Sequence, residues 1–97
     1  MKNLEEIKQQ LKDLKEILIQ KYHISEIGIF GSYIRNEQDK DSDLDILVEF
    51  AEIPSLLKFI NLKNYLTNYL EIKVDLVHKS GLKPKIGERI LTEVIYL

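Results

Sequence analysis

Residues 30–50 read FGSYIRNEQDKDSDLDILVEF, from Phe30-Gly31-Ser32 to Val48-Glu49-Phe50. A hydrophobic run breaks at Gly31-Ser32, passes through a polar loop from Asn36 to Ser42, and resumes with Asp43 and Asp45 one residue apart. In a strand, side chains alternate between faces, so residues two apart point the same way. Asp43, Asp45, Leu47 and Glu49 then share one face, while Leu44, Ile46, Val48 and Phe50 form an apolar face that must be buried. The two aspartates stand side by side, with roughly 6–7 Å between their Cα atoms. Carboxylates that close repel each other unless something positive, most simply a divalent cation, lies between them.

The flanking sequence supplies the rest of the fold. From residue 3 to about 22, Leu4, Ile7, Leu11, Leu14, Ile17 and Leu18 recur at helical spacing, with Asn3 and Glu6 placed as a capping pair. His23 follows the helix and suits the negative end of its dipole. No metal-ligand spacing links it to His78, the only other histidine. Residues 24–30 form a first strand. Tyr33-Ile34-Arg35 is expected to form a short helix with Ser32 as N-cap. A second strand runs from Asp43 to Phe50. After Pro54, a second helix spans roughly Ser55 to Leu70, with Leu56, Leu57, Ile60, Leu62 and Leu66 as its apolar side. Glu71 to His78 is a third strand, Gly81 and Pro84 mark a turn, and Ile86, Ile90, Leu91 and Val94 suggest a last helix. Val94 to Leu97 finishes extended. This order predicts an α/β (α+β) fold, a small mixed sheet of about three to four strands covered by helices.

Composition sets limits. The 97 residues suffice for one domain, 1–97. A net charge of −2, with acids and bases mixed, argues against a protein that holds nucleic acid stably through phosphates. Without cysteine there is no disulfide or thiolate metal site, which fits a cytoplasmic setting. No apolar run approaches the ~20 residues of a membrane span, and the charged N-terminus lacks a signal-peptide core.

Three features converge. Gly31-Ser32 at a strand end lets a phosphate approach the backbone and offers donors to its oxygens. Asp43 and Asp45 form a same-face pair. Asp75 interrupts an otherwise apolar strand, against its β-propensity, and a metal shared with the other two would account for it. Each feature alone has a plain reading: a turn, a solvated strand end, an edge residue. Together they match what two-metal phosphoryl transfer requires.

Gly31-Ser32, ten residues, then Asp43-Leu44-Asp45 resembles the signature of the DNA polymerase β-like nucleotidyltransferases. Asp75, within Lys73-Val74-Asp75-Leu76-Val77, matches the position of that superfamily's third carboxylate. The short chain, the Ser42–Val48 string and the Leu82-Lys83-Pro84 segment resemble the minimal nucleotidyltransferases (MNT), antitoxin partners of HEPN-domain toxins. Members often carry a small residue, Arg and Gly after the Gly-Ser. Here Ile34 replaces the small residue, Arg35 matches, and Asn36 replaces Gly while still tolerating a left-handed backbone.

The resemblance implies attack of a hydroxyl on the α-phosphate of ATP with two Mg²⁺ ions. It implies that Gly31 and Ser32 hold the β- and γ-phosphates, that Asp43 and Asp45 bind both ions, and that Asp75 binds the catalytic one and helps remove the acceptor's proton. Arg35 is expected at the triphosphate or the partner, or else in a surface ion pair. Lys40, Lys83 and Lys85 are expected to be solvated charges. The implied acceptor is a tyrosine of a HEPN ribonuclease toxin, silenced by AMP. Two other readings stay open: a non-catalytic antitoxin acting by occlusion, and a catalytic subunit modifying a small molecule or RNA end. Exposed leucines on either long helix are candidates for a homodimer or hetero-complex contact.

Overall fold

The computed structural model describes residues 2–97. Helix α1 (Leu4–Tyr22) is capped by Asn3, whose Oδ1 accepts the Glu6 N–H at 2.9 Å. It ends at His23, which adopts the left-handed conformation (φ 58°) and donates its N–H to Ile19 O. Strand β1 (Ile24–Phe30) pairs antiparallel with β2 (Leu44–Phe50). Helix α2 (Leu56–Leu70) then carries the chain over to β3 (Val74–His78), which lies parallel to β2. After a 3₁₀ turn at Lys79–Gly81, α3 (Pro84–Glu93) leads to a two-residue β4 (Ile95–Tyr96) beside β1. The four-stranded mixed sheet has the order β3-β2-β1-β4. This is the expected α/β class and strand count.

The core lies between the apolar sheet face and the two long helices. Leu44, Ile46 and Val48 of β2 are fully buried against Ile7, Leu11 and Leu18 of α1 and Leu62, Leu66 and Leu70 of α2. The expected faces of β2 therefore hold. Among the described residues, twelve side chains of this core cluster are essentially inaccessible, each contributing about 1.5–3 kcal/mol on burial, so this face is strongly fixed in register. Among the described residues, no helix is long and apolar enough to cross a membrane.

Four local expectations need correction. Tyr33-Ile34-Arg35 is not a short helix. Residues 32–36 form hydrogen-bonded turns closed by Glu37 N–H to Ser32 O at 2.9 Å, between left-handed Gly31 (φ 83°) and Asn36 (φ 58°). Two left-handed residues that close together leave no room for a helix to propagate. The third strand begins at Val74 rather than Glu71, because Glu71 (φ 58°) is the left-handed cap of α2. The buried stripe of α2 is Leu62, Leu66 and Leu70, whereas Leu56, Leu57 and Ile60 are exposed. Those three are mutual neighbours at helical spacing, forming a second stripe rotated away from the sheet. Likewise Ile17 of α1 is 46% exposed, outside the buried stripe.

Candidate active site

The sheet's second face carries the acids. Phe30 of β1, Asp45 of β2 and Asp75 of β3 lie in consecutive register across the three strands. Asp43 sits at the mouth of β2, one residue before its first hydrogen-bonded position. The strand alternation that buries Leu44 and Ile46 thus forces Asp43 and Asp45 to the same side, and parallel pairing sets Asp75 against Asp45.

Gly31 closes the site from above. A Cβ there would lie 2.0 Å from Asp45 Oδ2, and the backbone is in the left-handed region at φ 83°. The position therefore requires glycine for two independent reasons. The Ile34 and Arg35 N–H groups fold back onto Gly31 O. Among the described residues, the N–H groups of Ser32 and Tyr33 and the Ser32 hydroxyl have no protein acceptor.

The electrostatics are unbalanced. Burial, then the facing Asp75, then Asp43 push the Asp45 carboxyl up from 3.8 to about 6, with a hydrogen bond between the two carboxyl groups. Arg35 pulls the other way but is outweighed. Among the described residues, no three acidic or histidine side chains already converge on an ion-sized point. The donor set nevertheless fits a hard divalent cation, because it is all carboxylate oxygen. Asp45 and Asp75 face each other across adjoining strands, an arrangement that a cation between them would stabilise.

Arg35 is committed elsewhere. Its Nη1 donates to both carboxylate oxygens of Glu93 at 2.9 Å, and its Nε to Glu37. In this structure Arg35 makes ion pairs with Glu93 and Glu37. Glu93 also accepts the Gly31 N–H at 2.6 Å. Burial works against the Glu93 charge, yet these bonds and the nearby Arg89 hold its carboxyl below the usual value. Sequence reasoning missed Glu93. The available signal was an acid in the last turn of a helix, where the dipole disfavours it.

Two clefts border the acids, one at Asp43 and one at Asp45. One, of about 700 Å³, is lined by Asp43, Ser42, Tyr33, Lys40 and Lys73. The other, of about 420 Å³, is lined by Asp45, Gly31, Phe30, Ile86, Ile90 and Lys85, with Arg35, Arg89 and Glu93 at its side. Lys40 and Lys85, expected to be solvated charges, thus border the site. Lys83 lines neither cleft.

Four residues along β2 from Asp45, Glu49 stands on the same face in a different setting. It accepts His78 Nε2 at 2.8 Å and the Ser80 hydroxyl, while the neighbouring Lys79 Nζ reaches Glu26 at 3.0 Å. Burial again opposes the charge, but bonds from Ser80, the Phe50 N–H and His78 hold Glu49 below the usual carboxylate value.

Residues 11–97 match the nucleotidyltransferase domain family. The chain is 53% identical over 97 residues to the protein adenylyltransferase MntA of Thermococcus cleftensis, covering all of this chain and 98% of that one. A solved minimal nucleotidyltransferase superposes with a TM-score of 0.84 at 35% identity, over 99% of this chain and 97% of that chain. A toxin–antitoxin crystal structure with AMP-PNP matches at 0.74 and 26%, over 90% of this chain and 70% of that chain. An MNT antitoxin in complex with a tri-AMPylated Shewanella oneidensis HEPN toxin shares the fold at 0.70 and 21%, over 93% of this chain and 70% of that chain. The acids, the glycine turn and these matches lead to one assignment: the chain belongs to the nucleotidyltransferase domain family, among its minimal members.

Proposed function

We propose that this chain transfers AMP from ATP to a hydroxyl of a HEPN-domain toxin, a tyrosine, and so acts as the antitoxin of a toxin–antitoxin pair. The observation that carries the reading is the register of Asp45 with Asp75 beneath Gly31, an acid pair that Arg35, itself engaged by Glu37 and Glu93, does not balance. The similarity to a protein adenylyltransferase over the whole chain supports the choice of AMP.

In this reading the acceptor oxygen forms a bond to the α-phosphorus, and the bond from that phosphorus to the bridging oxygen of the β-phosphate breaks. Pyrophosphate leaves with that electron pair. Asp75, the most open of the three acids, takes the acceptor's proton. Ser32 and Tyr33, with backbone N–H groups free of protein acceptors, and the Ser32 hydroxyl hold the β- and γ-phosphates. Gly31 contributes by lacking a side chain. Asp43 and Asp45 would hold two Mg²⁺ ions, Asp75 one of them. When bound, the ions supply the charge that balances the attacking and leaving oxygens. One cleft at Asp43 and another at Asp45 suit a reaction with two substrates.

The test is incubation of the purified chain with Mg²⁺, α-labelled ATP and the product of the adjacent gene. Label on a tyrosine of that protein is expected, and its loss in the Asp43→Ala/Asp45→Ala double variant. If no label transfers and the double variant still neutralises the toxin, the chain acts by occlusion and the proposal fails. Label on a small alcohol or an RNA 3′ end would assign a different acceptor.

A further inference from the structure

The Gly31-Ser32 turn is held from outside by a side chain 62 residues away in sequence. Glu93 Oε1 accepts both the Gly31 N–H at 2.6 Å and Arg35 Nη1 at 2.9 Å, and Oε2 accepts the same Nη1 at 2.9 Å. Arg35 lies four residues beyond Gly31 and returns its own N–H to Gly31 O. One carboxylate thus grips both ends of a single turn. Its side chain is only 21% exposed, so these contacts are partly shielded from water. Gly31 in turn presses on the Asp45 carboxylate, leaving no room for a Cβ. The contacts run unbroken from the last turn of α3 to the acid pair.

The chemistry explains why a carboxylate serves here. The turn presents two donors on different groups, one a backbone N–H and one a cation, and a carboxylate accepts from both while carrying the charge that pairs with the cation. Glu93 occupies the last turn of α3, where the helix dipole disfavours a negative charge. Arg35 and Arg89 offset that cost. The grip has a second effect. It engages the Gly31 N–H and the Arg35 head, so the turn's unengaged donors are those of Ser32 and Tyr33.

We infer that Glu93 is a positioning residue for triphosphate binding: it locks the Gly31–Arg35 turn so that the Ser32 and Tyr33 donors and the Asp45 carboxylate keep one fixed relation. The inference rests on the nucleotide-transfer reading of the site. It differs from a competing role in which the Glu93 carboxylate occupies a phosphate position and must be displaced. The two roles move affinity in opposite directions.

The test is calorimetric titration of the full chain with MgATP, without acceptor, for the wild type and three variants. Glu93→Ala is expected to weaken binding about ten- to a hundredfold, the range for a lost hydrogen-bonded charge. Glu93→Gln keeps one acceptor for the Gly31 N–H but turns an amide toward Arg35, and is expected to weaken binding about three- to tenfold. Glu88→Ala, on the exposed side of the same helix, is expected to stay within about twofold. With acceptor present, KM for ATP should rise in Glu93→Gln while kcat stays within about threefold, a split that general loss of fold would not give. Should Glu93→Ala fail to fold, Glu93→Gln decides. Wild-type affinity in Glu93→Gln, or tighter binding in either variant, overturns the inference. A wild-type chain that binds no triphosphate overturns the parent reading and this inference together. Binding by the wild type with no change in the Glu93 variants overturns the inference alone.

Discussion

Strand β2 carries an acid at each end of one face, and the two have opposite fates. Glu49 is surrounded by donors from His78, Ser80 and the Phe50 N–H, and its carboxyl is held low. Asp45, four residues away, meets Asp75, Asp43 and a glycine, and its carboxyl is pushed up to about 6. The strand, the face and the kind of side chain are the same. Only the neighbours differ. A structural acid is one the protein itself satisfies, whereas the acid left unsatisfied marks where a ligand from outside belongs.

The largest effect is expected at Asp45. Asp45→Asn should reduce AMP transfer about a thousandfold in a labelled-ATP assay, yet raise the thermal midpoint of the metal-free chain at pH 8. The sign follows from linkage. Asp45 keeps its proton to about 6 when folded, against 3.8 as the ordinary value. Its contribution to stability is therefore fully present below about pH 4 and lost as pH rises through about 6. The stabilising effect of Asn should vanish by pH 4, and equal midpoints of variant and wild type at pH 8 would show that Asp45 is already satisfied.

Gly31→Ala comes next. The added Cβ meets Asp45 Oδ2 and the residue must hold φ 83°, at roughly 1–2 kcal/mol for the backbone alone. Both thermal stability and transfer should fall, the latter by at least about tenfold, and unchanged transfer would show that the turn does not set Asp45. Glu49→Ala probes the opposite end. It should cost about 1–2 kcal/mol at pH 7 in urea unfolding, by leaving His78 and Ser80 without their acceptor, while kcat stays within about twofold. Because Glu49 is held low, its contribution is present above its ordinary value of 4.5 and fades as pH falls through the lowered one. Asn36→Gly is the smallest change. Both residues tolerate φ 58°, so stability should stay within about 0.5 kcal/mol of wild type.

These contrasts also explain what the sequence reveals and what it hides. Asp43 and Asp45 are legible because a strand has a two-residue period and Leu44, Ile46 and Val48 fix which side is in. Asp75 is legible as an acid among Val74, Leu76 and Val77. The Leu56, Leu57 and Ile60 stripe is misleading, because periodicity identifies two apolar stripes on α2 without saying which one meets the sheet. The turn at 32–36 escapes because two left-handed residues, one of them Asn, override helix propensity. Glu93 escapes for a different reason. Its role depends on contacts across more than half the chain, and the one local sign, an acid in the last turn of α3, does not say what it holds.

Asp75 has one more consequence. Strand β3 pairs with β2 on one side only, so its outer row of N–H and C=O groups runs along the border of the sheet. Lys73-Val74-Asp75-Leu76-Val77 is a short β-prone segment of the kind that recruits a second chain edge to edge. An exposed charge in its middle makes such pairing costly, since two copies would bring like charges together. The acid proposed to take the acceptor's proton thus also makes edge-to-edge pairing of two copies costly.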